Sequence, residues 1–406
     1  MTAATPGLDP IPNSTDVQRG SVTMAAELVH LPEFKNCVDE LTKDQTIASH
    51  FDKHISICAL GSYRGLTAVT ALTQLIQCLL ASSSGSYDSG HVEHVYRQFE
   101  DTFYCDTLEC QAIAPIQGWF ISDALLQGRN GAPLLQLSDE VEIRALTPHE
   151  REGVYQFELV RRHGPEWTDR TFAITVRYRL SKILMPFDGE DSLQQQRTAE
   201  QTILKANDRV DEVLQALRIF DEGSLRQGGV LHCINSPLFV QVRRIFAKPL
   251  ADPLANSLSL YVIKDAQQLA NLKEFWGSLR RAKGKDSRFL IVAMRRFSDA
   301  DERHRIEDRV IDLMIAAEAL SQASTTSEKG KKIAHHIASF SQSDYRTIKA
   351  HMLETYQLRN SIMHEGDASA WLIKTGRKSQ DLRPFVCTAE RYLRHALRTS
   401  IQQAAS

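Results

Sequence analysis

At 406 residues, 42% apolar and 24% charged, the chain is too long for one ordinary core and has the balance of a folded globular protein, not of a disordered or fibrous one. Its formal charge of −2 hides an asymmetry. From Arg280 onward 23 Lys and Arg stand against 15 Asp and Glu, a net of +8, which leaves −10 on the rest. A chain basic throughout is excluded. A basic last third suits a polyanionic partner, or is a solvated surface that binds nothing.

In chain order, Met1 to Gly20 has neither a basic start nor an apolar run, so a loose tail is expected over residues 1–22, with no secretion signal. From about Leu31 to Leu80 the pattern is mainly helical, with Phe34, Val38 and Leu41 at helical spacing. Within it Gly65 to Tyr87 carries no charge. Its Thr67, Thr70, Thr73, Gln74 and Gln77 predict a buried helix and no membrane span. A helix over His91–Phe103 follows. The texture then turns to short runs rich in β-branched and aromatic residues, separated by Gly, Pro, Asn and Asp. These are Ile116–Ile121, Leu134–Leu137, Val141–Leu146, Val154–Val160 and Phe172–Leu180, read as an antiparallel sheet. A helix is expected over Glu200–Phe220, strands over Gly229–Ile234 and Leu258–Val262, and a helix over Ala266–Arg281.

Ala282 to Lys285 reads as a polar, basic linker, and everything beyond it as helical. The expected segments are Ser287–Phe297, Asp301–Leu320, Lys331–Phe340, Asp344–Met363 and Pro384–Gln402. Ser298 and Asp301 resemble a capping box for the second of them, and Pro384 stands near the first turn of the last. The fold class is thus α+β: a mixed helical and antiparallel β-rich region over 23–280, then a five-helix bundle over 283–406.

The seven cysteines (Cys37, Cys58, Cys78, Cys105, Cys110, Cys233, Cys387) are odd in number and scattered, without Cys-x-x-Cys blocks. Neither a disulfide framework nor a metal site is expected, and the thiols suit a reducing cytoplasm. No cofactor-binding pattern is present. Arg359-Asn360-Ser361-Ile362-Met363-His364 closes the fourth helix of the bundle. Spacing alone says little. With 32 Arg and 14 His, about three Arg–His pairs at such separations arise by chance, and four occur: Arg144/His149, Arg226/His232, Arg346/His351 and Arg359/His364. Only the last pair ends a helix, with Gly366 as the breaker.

The order of five helices, the stretch Asp308–Leu320 and the block Tyr356–Gly366 resemble the Apea-like branch of the HEPN superfamily. The likeness covers Arg288 to Arg398. A weaker one, in Val141–Thr147 and Leu214–Phe220, is to the β-rich domains that precede the bundle in that branch. The resemblance implies a metal-independent endoribonuclease acting through a 2'-hydroxyl, in growth arrest or defence against phage. His364 and Arg359 would be catalytic, Asn360 would orient the imidazole or hold a phosphate, and Glu318 would hold Arg359. One motif per chain implies a homodimer. The front would answer to a trigger that the sequence does not name.

Other readings stay open: a non-catalytic module for RNA or a nucleotide, or a structural dimerisation domain. Arg359 could simply pair with Glu354, Glu365 or Glu318, and Glu318 reads equally well as an ordinary helix-face carboxylate. Arg280, Arg281, Lys283, Lys285 and Arg288, with Lys331 and Lys332, either track RNA phosphates or keep their segments soluble.

Overall fold

The computed structural model describes residues 30–46, 48, 54–56, 68–82, 89–126, 133–147, 150, 171–181, 183–185, 190–223, 225–234, 243–246, 261–285, 288–322, 328–341 and 344–406. The expected strand Val154–Val160 lies outside them. Two compact units are each assembled from separate stretches of chain: residues 1–114, 145–208 and 229–247, and residues 115–144, 209–228 and 248–406. As expected, the class is α+β, with an antiparallel sheet in the first half and helices in the second.

The first unit holds α1 (Pro32–Lys43), β1 (His54–Ser56), α2 (Ala68–Ser82), α3 (Ser89–Tyr104) and the larger part of β2 (Thr107–Gln117). No helix among the described residues is long and apolar enough to cross a membrane. Further along the chain come β6 (Phe172–Ser181), β7 (Ile183–Met185), the first half of α5 (Glu190–Phe220), β9 (Val230–Ile234) and β10 (Arg243–Phe246). The sheet order is β10–β9–β2–β6, and β1 pairs antiparallel with β7. β9 is antiparallel to both neighbours, with Ala112 opposite His232. Along β2 burial alternates at first and then becomes continuous from Ala112, as in a strand covered on both faces. Ile113, Leu146, Ala173 and Leu231 form a shared apolar cluster. His232, fully buried, is fixed by its partners. Its Nε2 donates to Asn207 Oδ1 at 2.9 Å, and its Nδ1 lies at hydrogen-bond distance, 2.9 Å, from the Tyr178 hydroxyl.

In the second unit β3 (Trp119–Ile121) pairs parallel with β11 (Tyr261–Ile263), and β4 (Leu135–Gln136) antiparallel with β5 (Val141–Ala145). β8 (Arg226–Gln227) pairs with the end of β2, and α4 (Asp123–Leu126) is one turn. Gly223 has φ +133, and a Cβ there would lie 2.6 Å from the Tyr261 backbone, so the crossing requires glycine. Seven helices follow: α6 (Ala266–Gly284), α7 (Arg288–Asp301), α8 (Ile306–Ser321), α9 (Lys329–Ser339), α10 (Tyr345–Glu365), α11 (Ser369–Thr375) and α12 (Ser379–Ala405). Both α8 and α12 bury an apolar stripe, with Ile306 at the start of α8 half-buried. Val310, Leu313, Met314, Ala317 and Leu320 of α8 and Val386, Ala389, Leu393, Ala396 and Leu397 of α12 are buried, and the two helices are in contact. Each large side chain there contributes about 1.5–3 kcal/mol.

Several boundaries differ from the sequence reading. The basic stretch Ala282–Gly284 is no linker but the last turn of α6, where Ala282 is buried and Lys283 Nζ donates to Gln215 Oε1 at 3.0 Å. α12 starts at Ser379, where Asp381 accepts from the Lys378 N–H, and Pro384 falls inside it. The α11 helix was not foreseen. Ser298 and Asp301 do not cap α8: both lie in the last turn of α7, and Arg305 precedes α8 with no side-chain cap.

The reason is a buried charge cluster. Arg218 of α5 donates through Nη1 to Ser298 Oγ at 2.8 Å and meets Asp301 Oδ2 at 3.2 Å. Arg309 reaches Asp301 at 3.4 Å and makes a close pair with Glu390. Arg394 meets Glu390 Oε1 at 2.5 Å and donates through Nε to the Arg218 carbonyl at 2.9 Å. Two guanidiniums, Arg218 and Arg309, thus claim the groups that would otherwise have served a helix end. Asp301 feels this strongly: burial raises its carboxyl above the usual range against the pull of Arg218 and Arg309.

Candidate active site

The site is built on the C-terminal half of α10. Ile348, Met352, Thr355, Leu358 and Ile362 recur every three or four residues and form its buried face. Arg359 and Asn360, half-buried, stand at the edge of that face, and Met363, His364 and Glu365 emerge into solvent in the last turn. Gly366 ends the helix at φ 86, its N–H bonded to the Ile362 carbonyl at 2.9 Å, as the sequence reading expected.

Helix geometry then separates the motif. Asn360 and His364, four residues apart, share a face; Arg359 and His364, five apart, point about 140° from one another. Asn360 bridges the two directions, because its Oδ1 accepts from Arg359 Nη1 at 3.1 Å. On the other side of Arg359, Nη2 faces Glu318 Oε1 of α8 at 4.0 Å. The second oxygen of Glu318 accepts from Lys329 Nζ, at the first residue of α9, at 2.7 Å. Arg359, Glu318 and Lys329 are 24%, 17% and 26% exposed along their side chains, so this trio is sheltered without being sealed.

Close helix packing brings Lys329 here. A Cβ on its neighbour Gly330 would lie 2.5 Å from Tyr356 Cδ1, so α9 approaches α10 at a distance only glycine allows. Two polar atoms of the trio are buried without a hydrogen-bond partner: Glu318 Oε1 and Arg359 Nε. Glu354, a rival partner for Arg359 in the sequence, is taken by Arg377, whose Nη2 meets both its oxygens at 3.1 Å. Arg377 also lies over Phe385 at 4.7 Å, which fastens α11 and α12 to α10 below the motif.

No family model matches this chain. No curated protein or solved structure matches it significantly either.

Of the residues singled out in the sequence, hydrogen bonds and ion pairs join Glu318, Arg359 and Asn360, while His364 stands in the solvent on the face of Asn360. The basic residues are scattered over three helices. Arg280 lies over the Trp276 ring at 5.0 Å and 3.4 Å from Glu212. Arg281 donates to Ser278 Oγ at 3.0 Å, and Lys285 and Arg288 are exposed. On α9, Lys331 pairs with Glu328 at 2.7 Å and Lys332 is exposed. Lys329 was missed. Its pairing with Glu318 spans eleven residues and a helix turn-around, which no periodicity encodes. Among the described residues no group of three or more His, Cys, Asp or Glu could hold a metal ion. What the trio offers chemically is a fixed guanidinium beside a carboxylate, with an exposed imidazole further along the same helix.

Proposed function

We propose that the helical C-terminal part is a HEPN-type ribonuclease that cleaves RNA without a metal ion. His364 would move the proton of the attacking 2'-hydroxyl or of the leaving 5'-oxygen, since an imidazole can take and give a proton near neutral pH. Arg359 would hold the phosphate and stabilise the charge that builds on it, through the planar fork that suits two phosphate oxygens. Asn360 would link the two, bonded to one and on the face of the other.

The observation that carries this reading is Arg359 itself. It is anchored by Asn360, faced by Glu318 at a distance too long for a hydrogen bond, and has a buried Nε with no partner. A structural arginine would close on its carboxylate. Because Arg359 and His364 diverge on one helix, the reading also calls for a second copy, whose His364 would complete the phosphate site of the first. The proposal places the protein in the cytoplasm, in growth arrest or defence against phage, with the remainder of the chain answering to a trigger.

The test is purified full-length protein on total RNA, with Arg359→Ala and His364→Ala each alone and mixed. The reading expects neither variant to cut alone and activity to return on mixing, because one hybrid site regains both groups. Cutting by His364→Ala at the wild-type rate would overturn it, and RNA bound but never cut would leave a binding module.

A further inference from the structure

We infer that Glu318 and Lys329 gate the guanidinium of Arg359, so that this site takes an oxyanion by exchange: the anion displaces Glu318 from Arg359, and Lys329 retains the displaced carboxylate. The inference rests on reading Arg359 as a phosphate holder and adds how its access is controlled.

The hydrogen bonds of the guanidinium show which edge is used. Nη1 is spent on Asn360. The opposite edge, Nε with Nη2, is the one that could grip two oxygens of a phosphate at once. That edge faces Glu318, yet makes no hydrogen bond with it: Nη2 is 4.0 Å from Oε1, Nε is buried without a partner, and so is Oε1. An arginine and a carboxylate this close and this sheltered would ordinarily meet at about 2.7–2.9 Å. Lys329 explains the gap, because its ammonium holds the other oxygen of Glu318 at 2.7 Å. Glu318 is therefore shared unequally, bonded to Lys329 and merely lying across the fork of Arg359.

The charges point to the ligand. Two cations and one carboxylate leave one positive charge, and Glu354, the carboxylate one turn before the motif, is bound to Arg377. A monoanionic phosphodiester, or inorganic phosphate as its surrogate, matches that excess and supplies paired oxygens for the empty fork. A neutral ligand would leave Glu318 where it is.

The arrangement makes Lys329 a positioning residue whose effect runs through Glu318. Remove the ammonium and Glu318 should close on Arg359 and block it. Remove the charge of Glu318 as well and Arg359 should open again.

The experiment titrates the full chain with inorganic phosphate and follows the Nε–Hε resonance of Arg359, assigned by its loss in Arg359→Lys. Lys329→Met should weaken binding about tenfold or more, and Glu318→Gln should tighten it, since a carboxylate beside a guanidinium competes directly with the anion. The double variant Lys329→Met with Glu318→Gln should bind at least as well as wild type, and Lys329→Arg should behave as wild type. Thermal melts of each variant identify any loss that comes from unfolding, in which case Lys329→Gln replaces Lys329→Met. A double variant as weak as Lys329→Met alone would overturn the gate, because Lys329 would then be touching the anion itself. An Arg359 resonance that ignores phosphate in both wild type and Glu318→Gln would overturn it too. RNA cleavage, measured in parallel, keeps the two ideas apart. Cleavage without this pattern sinks the gate alone, and the pattern without cleavage sinks the ribonuclease reading alone.

Discussion

Replacing Glu390 by Gln takes one carboxylate out of the buried charge cluster that joins α5, α7, α8 and α12. Glu390 is held by Arg309 on one oxygen and by Arg394, at 2.5 Å, on the other. Without it Arg394 keeps the Arg218 carbonyl and the face of Phe297, and Arg309 keeps Asp301 at 3.4 Å. Arg218 and Arg309 would then share the buried Asp301, with the more exposed Glu302 on Arg218 at 3.0 Å, and Arg394 would have lost its carboxylate. Removing one partner of a buried pair typically costs about 3–5 kcal/mol, and here two cations lose a partner, so the upper part of that range is expected. Arg309→Met should cost less, about 1–3 kcal/mol, because Arg218–Asp301 and Arg394–Glu390 survive as balanced pairs. Burial pushes the Glu390 carboxyl up, but Arg309 and Arg394 together outweigh it and hold the group below its ordinary 4.5. A depressed acid stabilises the fold above that value, and the contribution is lost as the pH falls further. Urea unfolding of the full chain at pH 7 and at pH 4 measures both effects, and the Gln variant should lose less stability between the two than wild type does. If Glu390→Gln costs no more than Arg309→Met, the cluster is not held together as argued.

Other substitutions probe the packing around the site. Gly330→Ala forces a Cβ against Tyr356 and should cost about 1–3 kcal/mol, while Gly284→Ala, with nothing within 4 Å, should be neutral or stabilise by up to about 1 kcal/mol; thermal melts decide both. His351 is packed on Phe385 at 4.2 Å and Tyr392 at 5.6 Å, donates through Nε2 to the Phe385 carbonyl, and has Glu354 and Arg377 nearby. Burial lowers its pKa, so the stability it brings is present above 6.5 and lost as the pH falls below it. Chemical unfolding of His351→Leu at pH 7.5 and 5.5 should therefore show a shallower pH dependence than wild type. A remainder should persist from His336, which burial lowers in the same direction.

Periodicity made the core legible where one face of a helix is apolar, as in α8 and α12, and the glycine stop after His364 was equally plain. It failed where polar residues are buried. Ser298 and Asp301 have the spacing of a cap, but Arg218 lies 80 residues away and only the fold brings it to them. The first ten residues of α5, Glu190–Ala199, carry few apolar side chains, so that part of the helix left no stripe to read. At the site, Arg359, Asn360 and Glu318 were identified from one stretch of chain and a resemblance. Lys329 was not, although the neighbouring Lys331 and Lys332 were noted. Its role follows from the α9–α10 approach at Gly330 and from nothing in its local sequence.

The central claim is that His364 and Arg359 cut RNA with no metal ion in the reaction. End-group analysis of RNA treated with the full-length protein in excess chelator tests it most directly. The account predicts undiminished cleavage that leaves 2',3'-cyclic phosphate and 5'-hydroxyl ends and disappears in His364→Ala. Cleavage abolished by chelator and restored by a divalent cation, or 5'-phosphate ends, would contradict it.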